Sequence, residues 1–109
     1  MNERPYRRVD GLLTYAITQD ALDAAAAAAA NLIDGVEVAR GRFARPRGRG
    51  AHVEIDGDRV RARIEIACRY GSVLPEAARD VQRHVTSTLR TLTGLEVDGV
   101  DVGVVAVTR

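Results

Sequence analysis

The sequence predicts an α+β domain in a two-layer sandwich, with element order α-β-β-β-α-β. Two helices are expected to cover one face of a mostly antiparallel or mixed four-stranded sheet. Three observations carry that expectation. The run "ALDAAAAAAANLI" (residues 21–33) is the strongest helix former in the chain. The stretch "RVRARIEIACRY" (59–70) alternates apolar and charged residues with a period of two, which puts one strand face in a core and the other in water. "LPEAARDVQRHVTSTLRTL" (74–92) repeats apolar residues at helical spacing between Pro75 and Gly94.

Each element can be justified in chain order. Residues 1–10 carry no periodicity and read as a flexible N-terminal arm, ahead of a single domain over residues 11–109. Thr18 is the natural N-cap of the first helix, and Asp20 sits where the helix dipole favours an acid. Leu22, Ala26, Ala29 and Ile33 form its apolar face, and Gly35 is expected to close it. "VEVAR" (36–40) reads as a short strand, followed by an Arg- and Gly-rich loop over residues 40–50. "AHVEI" and the alternating stretch then make a hairpin around "DGD". If Gly57 and Asp58 are the turn centre, Ile55 faces Val60, Asp56 faces Arg59, Glu54 faces Arg61 and His52 faces Arg63. If Asp56 and Gly57 are the centre, the pairing shifts but the faces do not. Pro75 sits at the start of helix two, where its missing N–H costs nothing, and Gly94 ends that helix. In the last strand, "EVDGVDVGVVAV", the inward parity passes from Val97 to Val100, Val102 and Val104. That change requires a bulge at Asp98-Gly99.

Composition narrows the function classes. A chain of 109 residues with 46% hydrophobic and 28% charged content is one ordinary globular domain. No stretch approaches the roughly 20 apolar residues of a membrane-spanning helix, and the N-terminus lacks an apolar signal segment, so a cytoplasmic location is expected. Cys68 is the single cysteine, which excludes an internal disulfide. All 16 basic residues are arginine, and five of them fall within residues 40–49, leaving the rest of this +1 chain net negative.

Catalytic constellations are weak. Glu54, Asp56, Asp58 and Glu65 alternate with arginines on one exposed strand face, where cross-strand pairing accounts for them. His52 and His84 lie on different elements, and no cluster has metal-ligand spacing. Ser72 follows Gly71 without a nucleophile-elbow frame and reads as a turn or cap residue. No Gly-rich phosphate fingerprint opens a helix. The expectation is therefore no catalytic residue, no metal, no cofactor and no small-molecule substrate. The Arg-rich loop, with Arg40, Arg42, Phe43, Arg45, Arg47 and Arg49, is the one feature a bland domain does not need. It reads either as a solvated loop whose arginines reflect a GC-rich genome, or as a surface suited to a partner protein, anionic lipid headgroups or, as the alternative reading, nucleic acid gripped by charge and one stacking ring.

Five stretches taken in order make a more specific pattern: "IDGVEV", "RYG", "ARDVQRHV", "TLTGLEV" and "VDVGVVAV". Their order and spacing, from about Gly11 to Val107, resemble the alkaline shock protein family of bacterial envelope stress-response proteins. The resemblance implies that Gly35, Val36, Tyr70, Gly71, Gln82, Gly94 and Leu95 are structural motif positions, with Tyr70-Gly71 the strand-to-helix corner. It also implies a non-catalytic cytoplasmic protein of cell-envelope homeostasis that works by self-association and by docking on a small membrane-anchored partner. Such a partner would hold it at the inner face of the membrane. The Arg-rich loop lies outside the family pattern.

Overall fold

The computed structural model describes residues 6–10, 13–39 and 50–109. Strands β1 (Tyr6–Asp10) and β2 (Leu13–Ile17) form an antiparallel hairpin of their own. The sequence reading had no strand here and took residues 1–10 for an arm. "YRRVD" carries three charged residues in five, so no apolar alternation marked it.

The main body follows in the expected order: α1 (Gln19–Asn31), β3 (Val36–Val38), β4 (Ala51–Asp56), β5 (Arg59–Arg69), α2 (Leu74–Thr93) and β6 (Glu96–Thr108). The Thr18 side chain accepts from the Ala21 N–H, as a helix N-cap should. Replacing it (Thr18→Ala) is expected to cost about 1 kcal/mol in urea denaturation, and Thr18→Ser nothing measurable. The other end of α1 differs from expectation. Its cap is Leu32 in right-handed conformation, donating to Ala29 and Ala30 carbonyls. Gly35 (φ +78°) instead turns the chain into β3. In α2, Pro75 opens the helix and Gly94 (φ +70°) closes it. Ser72 is a turn residue, its N–H donating to the Arg69 carbonyl, and the cap position falls to Val73.

The sheet is built around β5. The β4–β5 hairpin has Gly57 and Asp58 at its centre, pairing Ile55 with Val60, Asp56 with Arg59, Glu54 with Arg61 and His52 with Arg63. Along the opposite edge of β5, β6 runs parallel over the whole length from Arg59 to Arg69, so the sheet is mixed. The expected bulge is there, with the register slipping past Asp98, and a second slip passes over Val105.

Because β6 fills one edge of β5 completely, β3 and β4 must share the other. They do so end to end: β3 pairs with residues 66–68 and β4 with residues 59–64. Glu65 marks the join. Its carbonyl accepts from the Ala39 N–H at 2.8 Å and its N–H donates to the Gly50 carbonyl at 2.7 Å. The two strands are one edge strand from which residues 40–49 depart and to which they return at a single register position.

Both helices pack on the face carrying Val60, Ala62, Ile64, Ile66 and Cys68. These residues form a continuous core with Leu22, Ala26, Ala29 and Ala30 of α1 and Val81, Val85 and Leu89 of α2. Small alanines let α1 approach the sheet closely. On the far face the arginines are exposed as expected, but Glu65 and Ala67 are buried there. Tyr70, one step beyond the end of β5, is 67% exposed and leaves the core pattern.

Candidate interaction surfaces

Among the described residues, those bearing catalytic chemistry do not converge. Arg59 pairs with Asp98 at 2.8 Å, with Arg61 of the same strand 4.0 Å from that carboxylate, on the exposed sheet face. His52 and His84 are both exposed and sit on β4 and α2 respectively. Burial pushes the Cys68 thiol up from its ordinary value, which disfavours the thiolate a nucleophile requires. No group of three or more His, Cys, Asp or Glu residues with metal-holding geometry occurs among the described residues. Two shallow depressions are lined from the helices. One is formed by Ala25, Ser87, Thr88, Thr91 and Leu92, and the other by Glu76, Arg79, Asp80, Gln82 and Arg83. In the second, Asp80 and Arg83 already neutralise each other at 2.8 Å.

The motif positions fall at corners and joints. Gly71 (φ +94°) carries the chain from β5 toward α2. Gly35 lies against this corner, where an added Cβ would meet Ser72 Oγ at 3.2 Å and Arg69 Nη2 at 3.5 Å. Val36 is buried opposite Cys68. Leu95 packs partly buried against the core just after the Gly94 cap. Gln82 Nε2 donates to the Val100 carbonyl at 3.1 Å. That carbonyl points away from β5, so Gln82 bridges α2 to the outer edge of β6.

The opposite edge of the sheet is sealed more thoroughly. Val53 and Val38 turn their backbone groups away from β5, toward α1. Val53 N–H donates to Asp23 Oδ1 at 2.8 Å, and Gln19 Nε2 donates to the Val53 carbonyl. Gln19 also donates to Asp23 Oδ1 at 2.9 Å, and His52 Nδ1 lies 3.6 Å from Asp23 Oδ2. Farther along, Val38 N–H donates to Asn31 Oδ1 at 2.8 Å. Gln19, Asp23, Ala27 and Asn31 lie four residues apart, one stripe of the helix. Sequence reading missed this role. Its signal was a polar row at helical spacing bordering the apolar face, with buried Asp23 at its centre.

Exposed large apolar side chains gather at one end of the molecule. Because β6 is parallel to β5 and β3 antiparallel to it, the end of β5 also holds the end of β6, the start of β3, the end of α1 and the start of α2. Leu32, Tyr70, Val73, Val105 and Val107, the exposed large hydrophobics among the described residues, all lie there. Arg109 rests over the Tyr70 ring, 5.1 Å from its centroid. The six loop residues singled out in the sequence, Arg40, Arg42, Phe43, Arg45, Arg47 and Arg49, lie outside the described residues. Only the shoulders of their loop, Ala39 and Gly50, can be placed.

Residues 8–109 match the model of a family described as "Asp23 family, cell envelope-related function". The chain belongs to the Asp23 family. (The shared label with residue Asp23 is a coincidence.) This is the alkaline shock protein family anticipated from the motif order. A curated relative in this range is the uncharacterized protein YqhY of Bacillus subtilis (strain 168). It is 25% identical over 100 residues, covering 84% of this chain and 74% of the relative. Among solved structures, a nickel form of the MamM CTD matches with a TM-score of 0.50 and 16% identity, covering 80% of this chain and 96% of that one. A copper form matches with the same score and identity, covering 80% and 95%. At that identity the likeness is one of fold alone. This Asp23-family member has no helix among its described residues long and apolar enough to cross a membrane.

Proposed function

We propose that this Asp23-family chain is a non-catalytic module of the bacterial envelope stress response that acts by association. It would work in the cytoplasm, self-associating and docking on a small membrane-anchored protein that holds it at the inner face of the membrane. The observation that carries this reading is the apolar end of the molecule. A monomer with nothing to bind rarely collects its exposed apolar side chains in one place. Here Leu32 and Tyr70, 72% and 67% exposed, stand at the same end as Val73, Val105 and Val107. Family membership supplies the envelope setting, and a sheet with scattered, mutually paired charges gives no support to turnover.

Capture by native membranes tests the proposal. Purified protein is incubated with inverted inner-membrane vesicles from its host, with trypsin-stripped vesicles, and with protein-free liposomes of the same lipids, each with and without nuclease. Sedimentation with native vesicles alone, unaffected by nuclease, is the expected result. Binding to liposomes and stripped vesicles alike would replace the protein partner with lipid headgroups. Retention only through nucleic acid, lost with nuclease, with added salt or in a variant with Arg42, Arg45, Arg47 and Arg49 changed to Ser, would overturn the proposal in favour of nucleic-acid binding.

A further inference from the structure

The two outer edges of the sheet are finished in different ways, and the difference points to a partner. An open strand edge exposes a row of N–H and carbonyl groups that templates pairing with another chain, and proteins usually cover such edges. On the β3–β4 side, α1 does so with Gln19, Asp23 and Asn31. On the other side lies β6, with 13 residues the longest strand of the sheet. Gln82 reaches its edge at Val100. Beyond that point, no side chain among the described residues bonds the outward backbone of Val102, Val104 or Val107. Val105 and Val107, 38% and 52% exposed, stand on this same uncovered stretch.

We infer that the free edge of β6 is the interface between two copies of this chain, paired antiparallel about a two-fold axis near Val104-Val105. The inference rests on the association reading above and names the surface that self-association uses. Charge selects the occupant and the direction. The acids of β6, Glu96, Asp98 and Asp101, all lie in its first half, residues 102–107 are uncharged, and Arg109 follows the strand. A parallel pair would set acid beside acid. An antiparallel pair about this axis lays the uncharged stretch "VGVVAV" against itself and sends the acidic halves to opposite ends. It sets Asp101 of each copy opposite Thr108 of the other and Arg109 opposite Val100, so no like charges meet across the seam. Arg109 is already held at the strand end by the Tyr70 ring. The joined sheet would also continue the apolar end from one copy into the next, covering Val105 and Val107, in the isologous manner of a symmetric dimer.

Sedimentation velocity across a wide concentration range tests this with the native chain and four variants. The native protein is expected to dimerise. Thr108→Asp should raise the dimer dissociation constant about tenfold by setting it against Asp101 of the other copy, adding Asp101→Arg to that variant should restore it, and Thr108→Arg alone should lower it. Val105→Lys with Val107→Lys should be monomeric with an unchanged circular dichroism spectrum, since lysines on an edge oppose pairing without entering the core. A native protein that stays monomeric at every concentration overturns the inference. So does a dimer indifferent to all four variants, although that outcome leaves association itself standing through another surface. Vesicle capture by the monomeric lysine variant reports on membrane docking separately, so the two readings fail independently.

Discussion

Gly50→Ala is expected to destabilise the domain by about 3 kcal/mol and to lower its melting temperature by on the order of 15 °C. Two costs add. Gly50 has φ +79°, a left-handed conformation that costs any residue with a Cβ about 1–2 kcal/mol. The new methyl would also be driven into the Ala39 carbonyl oxygen and stand 2.7 Å from Val38 Cγ1. Neither neighbour can yield freely, because Ala39 and Gly50 are bonded to the two backbone groups of Glu65. The control is Gly71→Ala. Gly71 also has positive φ, +94°, but nothing lies within 4 Å of the added Cβ. It should lose only the conformational cost, about 1 kcal/mol. Equal losses in the two variants, measured by chemical denaturation, would show that the pinch at the loop base contributes nothing.

The second large effect is expected at Asp23. Asp23→Ala strips the acceptor from Val53 N–H, which is buried against α1, and from Gln19. Leaving a buried backbone donor without its partner costs about 2 kcal/mol. Asp23→Asn keeps an oxygen in the same place and should recover much of that loss, which separates the hydrogen bond from packing. The alanine variant should also scatter light sooner during thermal unfolding, because it opens the β4 edge that α1 otherwise covers. If Asp23→Ala and Asp23→Asn lose the same stability, the carboxylate's role is not that of an edge acceptor.

Much of this fold was legible because local signals agreed with one another. "DGD" between two alternating stretches fixed the β4–β5 hairpin, since period-two patterning leaves only one face for the core. The break in parity between Val97 and Val100 located the first bulge of β6 before any coordinate did. The second bulge, at Val105, was hidden because valines fill both parities there and a slip changes no pattern. Gly35 misled for a related reason. A glycine after a helix suggests a cap, but Leu32 ended α1 three residues earlier and left Gly35 to serve the corner with Ser72 and Arg69. The surfaces were harder to read than the core. The polar row Gln19, Asp23 and Asn31 is visible in the sequence, but its role depends on which strand edge α1 lies beside, a tertiary fact. That no described side chain bonds the far half of β6 likewise emerges only once the β3–β4 edge is seen to be covered by α1.

The way residues 40–49 leave and rejoin the sheet has an evolutionary consequence. Their two anchor points are already brought together by Glu65, so the sheet does not depend on the intervening chain to hold its register. The entropic cost of lengthening such a closed excursion is slight, about 0.6 kcal/mol for each doubling. Sequence there is free to drift, expand or be exchanged while the body beneath stays constant. A scaffold with this socket is open to new specificities one loop at a time, and in this chain the arginine-rich stretch spans it.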